Sequence, residues 1–158
     1  MNPEEKYQGS EELTRLADEI LEAAPEWLYD AREFDFDILF SNVDSEHYGG
    51  KCKKNDDLTR FKTHKDFEII IYKPNFDRVK PDEKARIVIH ELRHIMKDDK
   101  GRPAVRRHEG DFCEIPSHDM FSKNVYSRIK DRIPTLTKMP FQTTMEESMR
   151  GDDEVSET

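Results

Sequence analysis

The sequence predicts one α+β domain, a small twisted sheet with helices packed on it. Three segments place apolar residues at helical spacing, and two others read as strands. The predicted order is helix, strand, irregular strand, strand, helix, connector, helix. The chain's 158 residues suit a single modest core, expected over residues 1–140.

The first helix is predicted from Leu13, Leu16, Ala17, Ile20, Leu21 and Ala24, which fall on one face. Ser10 is its candidate N-cap and Pro25 its stop. Phe34, Phe36, Ile38 and Phe40 then alternate with Asp35, Asp37 and Leu39, the pattern of a half-buried strand. Gly49-Gly50 breaks the chain, and the polar stretch Lys51–Lys65 predicts an irregular second strand and a loop. Residues 66–73, DFEIIIYK, form a second strong strand ended by Pro74-Asn75.

Pro81 sits where a first-turn proline belongs, and Asp82 and Glu83 suit a helix N-terminus. Ala85, Val88, Ile89, Leu92 and Met96 form the apolar stripe of that helix, which Lys97–Gly101 ends. Residues 102–115 read equally as a short hairpin or a loop. Ser117 is a candidate cap for a last helix carrying Phe121, Val125, Ile129 and Ile133, stopped by Pro134. Residues 141–158 hold six acids against one arginine and are expected to be a disordered acidic tail.

The net charge is −9, which disfavours a general nucleic-acid binder, since such a protein needs a basic face to displace counterions. A local basic patch in the lysine-bearing stretches remains compatible with it. Cys52 and Cys113 form no C-x-x-C pair and fit a reducing compartment. The polar start, Met1–Gln8, is no signal peptide, and no apolar run approaches the roughly 20 residues of a membrane span. A soluble cytoplasmic protein without membrane partners is expected. Its oligomeric state is not legible.

His90-Glu91-Leu92-Arg93-His94 is an H-E-x-x-H motif inside a segment that other residues already mark as helical. Residues four apart share a helix face, so both imidazoles can reach one ion about 2.0–2.1 Å away. The two histidines lie nearly opposite the Val88, Leu92, Met96 stripe. Glu91, one step round the helix, can hold a water without entering the coordination sphere. The chemistry this arrangement serves is hydrolysis of a peptide or protein, with Glu91 as general base and zinc as cofactor. A hydrolytic zinc site needs a third protein ligand and an open position. His108 and His118 are the downstream histidines, with Glu109, Asp111 and Glu114 as acidic alternatives, and spacing leans toward His108. His47 and His64 lie in polar stretches and read as solvated, and Cys113 as apolar filling. Arg93, Arg106 and Arg107 are candidates for binding an oxyanion or substrate carboxylate, although each reads more simply as a surface charge.

The stretch from Asp66 to Phe112 resembles the phage-type metallopeptidase domain, a zincin-like family. The likeness lies in the DFEIIIYK strand, the acid-rich helix start, HELRHI, the Asp98-Asp99-x-Gly101 turn, and Arg107-His108 followed by acids and Phe112. More weakly, DILF and Gly-Lys-Cys-Lys-Lys look like the family's earlier strands. The family commonly reads His-Asp where this chain has His108-Glu109. The resemblance implies a minimal zincin-like architecture, with His108 as the third ligand. In such a fold an edge strand beside the active helix can hold an extended peptide. The strands near 66–73 and 48–54 are the candidates. Two other functions share the motif: a zinc-stabilised binding or regulatory module that cleaves nothing, and a SprT-like DNA-associated protease, disfavoured by the acidic balance.

Overall fold

A computed structural model describes residues 2–45, 49–110 and 112–139. His47, Asp111 and the acidic segment 141–158 lie outside the described residues. The chain opens with two short elements, α1 (Pro3–Lys6) and β1 (Tyr7–Gln8). Helix α2 (Glu11–Ala23) follows as predicted, the Ser10 hydroxyl accepting from Leu13 N at 3.1 Å. It buries Leu13, Leu16, Ala17 and Ile20. Burying each large aliphatic side chain stabilises the fold by about 1.5–3 kcal/mol.

Strand β2 (Phe36–Ser41) pairs in parallel with β4 (Phe67–Tyr72), and β3 (Gly50–Lys54) runs antiparallel to β4. With β1 on the far side, the sheet order is β1-β2-β4-β3. Its inner face offers Ile38, Phe40, Phe67, Ile69 and Ile71 to α2 and to α5 (Pro81–Arg93). The other face of β4 is also covered, since Ile70 and Tyr72 are buried. A strand buried on both sides reads as an unbroken apolar run, which DFEIIIYK is. This settles one candidate peptide-binding edge: β4 is interior, and β3 is terminal. Glycine is required where β3 begins. A Cβ on Gly50 would lie 2.3 Å from the Ile70 carbonyl oxygen, and one on Gly49 would lie 2.8 Å from Ile87.

Several expectations need correction. The stretch Lys51–Lys65 is not strand and loop but a regular strand followed by α3 (Asp57–Thr63). Asp56 caps α3 by accepting from Thr59 N at 2.8 Å, and His64 closes it in the left-handed region at φ 61°. Its Leu58 and Phe61 are exposed, so no buried face generated a periodic signal. A short α4 (Lys73–Arg78) follows β4. The Lys84 ammonium donates to the Phe76 carbonyl and sits 4.7 Å from that ring's centre, tying α4 to α5.

Helix α5 ends at Arg93 rather than running through Met96. Residues Ile95–Lys97 instead form β5, paired with β6 (Pro103–Val105) in a hairpin. Asp98 accepts from Lys100 N and Arg102 N in the turn, where Gly101 has φ 80°. The last helix, α6 (Met120–Ile129), is capped by Asp119, not Ser117, and continues in 3-10 turns through Lys138. Ile133 and Leu136 from those turns join the core. The whole is α+β, consistent with a small zincin-like domain. Among the described residues no helix is long and apolar enough to cross a membrane.

Candidate metal centre

Helix α5 is buried nearly all round: Lys84, Ala85 and Ile87 through Leu92 are covered. The His90 face, opposite the apolar stripe, is therefore roofed as well, chiefly by α6 and the Pro116–His118 turn. His94 is the C-cap residue of α5, yet its φ of −63° and ψ of −24° are still helical. The i, i+4 relation between His90 and His94 thus survives the early end of the helix, and their rings lie 5.1 Å apart edge to face.

The hairpin explains how His108 returns. Arg106 N donates to the His94 carbonyl at 2.7 Å, and the His94 ring Nδ1 meets the Arg106 carbonyl at 2.6 Å. Arg106 Nε also donates to the Arg93 carbonyl at 3.0 Å. These bonds pin the segment after β6 to the end of α5 and deliver His108 two residues later. Its Nε2 lies 3.1 Å from His90 Nε2. One ligand atom from each of His90, His94 and His108 falls within 4.8 Å of the other two. His118 is exposed and, with Glu109, Glu114 and Cys113, is not part of that group.

The hydrogen bonds set the tautomers. His90 Nδ1 lies 2.9 Å from Asp119 Oδ2, and His94 Nδ1 faces a carbonyl oxygen. Both partners only accept, so both Nδ1 atoms carry the proton and both Nε2 lone pairs face inward. Burial pushes His94 down to about 4. Burial, then the nearby His90, also lowers His108. Neutral imidazole is the form that binds a metal. Two nitrogens on one tetrahedral ion, each about 2.0–2.1 Å away, are separated by about 3.3 Å, close to the 3.1 Å between the Nε2 atoms of His90 and His108. The residues present fit a three-histidine metal site.

Asp119 is the residue that sequence reasoning missed. It is fully buried, and its Oδ2 also accepts from Ser122 Oγ at 2.6 Å while Oδ1 accepts from Phe121 N at 3.0 Å. Burial alone would raise its pKa, but the bonds from His90 and Ser122 hold the carboxyl below the ordinary range. Phe112 completes the apolar wall, with its ring centre 4.7 Å from those of His90 and His94 and 5.0 Å from that of His108. Arg93 lies over Phe112 and Phe121 and is 3.7 Å from Asp119, so it serves the inside of the protein rather than a ligand. Arg106 donates to the Arg93 carbonyl and lies 3.8 Å from Asp30, and Arg107 is exposed and does not line the cavity.

Glu91 is buried at 2% exposure, and its Oε1 has no hydrogen-bond partner among the described residues. Burial pushes its pKa from the ordinary 4.5 up to about 8. Glu91, His90, His94 and His108 share a cavity of about 360 Å³ with Gly49, Gly50, Lys51 and Cys52 of the β3 edge. Burial, then the Glu91 charge, raises the Cys52 thiol well above its ordinary value, so it is neutral there. A raised carboxyl pKa means that Glu91 keeps a proton in the folded, metal-free chain that it has lost in the unfolded one between about pH 4.5 and 8. The Glu91 contribution to stability therefore falls as pH rises through that window, while His94, held down to about 4, opposes it below about 6.5. Metal-free Glu91→Gln should lack this contribution and exceed native stability by about 3 kcal/mol at neutral pH. Denaturant melts of both proteins in chelator at several pH values measure it.

A model of the family described as "Putative phage metallopeptidase" matches residues 5–138, most of the chain and well beyond the 66–112 stretch that carries the motifs. No curated protein matches, and no solved structure does.

Proposed function

The chain belongs to the phage metallopeptidase family, and from that premise we propose that it is a cytoplasmic, zinc-dependent peptidase. In this reading His90, His94 and His108 hold the ion and Glu91 is the general base. The carrying observation is a buried glutamate with an unpartnered oxygen, in one cavity with three imidazoles whose ligand atoms converge. A carboxylate is left unpaired in a buried site only at a cost, which a neighbouring cation and a reacting proton would offset. Three neutral imidazoles are a donor set that suits zinc, and three protein ligands leave a tetrahedral position open.

Zinc held there would supply Lewis acidity, polarising a peptide carbonyl and bringing the pKa of water toward about 7. The chain's own groups do the rest. Glu91 takes the proton of the attacking water and returns it to the departing amine. Asp119 and the Arg106 carbonyl keep the His90 and His94 rings in one orientation throughout. Phe112 excludes water from the back of the site. The edge of β3 walls the same cavity and can align an extended peptide by backbone pairing. Nucleic acid has no part in this reading, in keeping with the net charge of −9.

Zinc-loaded protein incubated with a mixture of unstructured peptides should generate new N-termini, detected by mass spectrometry. Chelator should stop the reaction and added zinc restore it. No new termini from protein that zinc demonstrably stabilises would contradict peptidase function and leave a zinc-stabilised binding module.

A further inference from the structure

We propose that the terminal edge of β3 selects acidic substrates, so that the site takes extended segments rich in aspartate or glutamate. The inference rests on the peptidase reading above and names its substrate class. β3 is the terminal strand, and among the described residues it pairs with β4 alone. Because its residues Gly50, Lys51 and Cys52 wall the cavity that holds His90, Glu91, His94 and His108, a segment laid along this edge passes the site.

Three of the five β3 residues are exposed lysines, in a chain whose net charge is −9. Strand alternation sends Lys51 and Lys53 to the outer face, opposite Ile70 and Glu68. Lys54 goes to the other face with Cys52, so the edge is positive on both sides. Lys53 has Glu68 at 3.7 Å, an exposed pair of the weak, exchangeable kind. Lysines on a terminal strand oppose pairing with another sheet edge. They favour one incoming strand in particular, one carrying carboxylates at the cross-strand positions. Backbone pairing is blind to sequence, so this charge row is what would discriminate among peptides.

The test uses the zinc-loaded Glu91→Gln chain, so that binding is read without turnover. Three fluorescein-labelled peptides of equal length, alternating alanine with glutamate, glutamine or lysine, are titrated by anisotropy at about 0.1 M salt. The glutamate peptide should bind about tenfold more tightly than the glutamine peptide, and the lysine peptide most weakly. With Lys51→Glu and Lys53→Glu together, the order should reverse. The milder Lys51→Gln, Lys53→Gln pair, which places no acid beside Glu68, should level the first two peptides. Equal affinities for all three, or an order unmoved by these substitutions, would overturn the proposal. So would displacement of the glutamate peptide by a single-stranded oligonucleotide at equal concentration, which would make the edge a nucleic-acid surface. Tighter glutamate-peptide binding once Asp152, Asp153 and Glu154 are changed to amides would also overturn it, by making the chain's own acidic segment the occupant. Acid-selective binding without hydrolysis by the native chain would support this inference and remove the peptidase reading. Hydrolysis indifferent to acidic residues would do the reverse.

Discussion

Replacing Glu91 by glutamine should leave one zinc per chain and slow peptide hydrolysis by about a thousandfold or more. Glutamine keeps the shape of the side chain and one acceptor oxygen but cannot take a proton from water. Glu91 is outside the group of three convergent imidazoles, so ion binding has no need of its charge. The two readouts therefore separate. Hydrolysis at the native rate would end the role given to Glu91. Loss of zinc would make Glu91 a ligand and require a different mechanism. His90→Ala is the contrasting control and should lose both metal and activity.

Asp119→Ala should weaken zinc binding about 10–100-fold and cost the metal-free fold about 2–4 kcal/mol. One carboxylate performs two tasks here. Its Oδ1 caps α6, and its Oδ2 accepts from His90 Nδ1 at 2.9 Å and from Ser122 Oγ at 2.6 Å. Alanine leaves those donors buried without their acceptor and frees the His90 ring to adopt the other tautomer. Asparagine retains an acceptor oxygen and should recover most of the stability. Without the negative charge it should still bind zinc about tenfold more weakly. Ser122→Ala removes only the serine's own bond and should lower the melting temperature with little change in zinc affinity. Competition against a chromogenic chelator gives the affinities, and melts in excess chelator give the stabilities. Native zinc affinity in Asp119→Ala would show that Asp119 serves α6 alone.

The fold was legible in the sequence wherever burial left a period. Leu13, Leu16, Ala17 and Ile20 marked α2, and the unbroken run at β4 marked a strand, which the structure covers on both sides. Helix α3 was missed because Leu58 and Phe61 face solvent and leave no buried stripe. The end of α5 was misplaced because Met96 continues the helical spacing, while what stops the helix is tertiary: β5 pairs with residues 103–105. Much the same division runs through the site. His90, Glu91 and His94 lie within one helical turn, so a local motif exposes them. The convergence of His108 depends on a hairpin of three-residue strands and on two bonds between His94 and Arg106, neither of which has a sequence signature. Spacing and family resemblance pointed to it nevertheless. Asp119 lies 29 positions from its partner His90, and nothing local in the sequence links the two.

Zinc X-ray absorption on the loaded native chain inspects the ligand set directly. Three imidazole nitrogens and one further light atom at about 2.0–2.1 Å are expected, with one imidazole lost in His108→Ala and none lost in His118→Ala. A spectrum with two imidazoles in the native chain, or with sulfur at about 2.3 Å, would contradict convergence of His90, His94 and His108 on one ion.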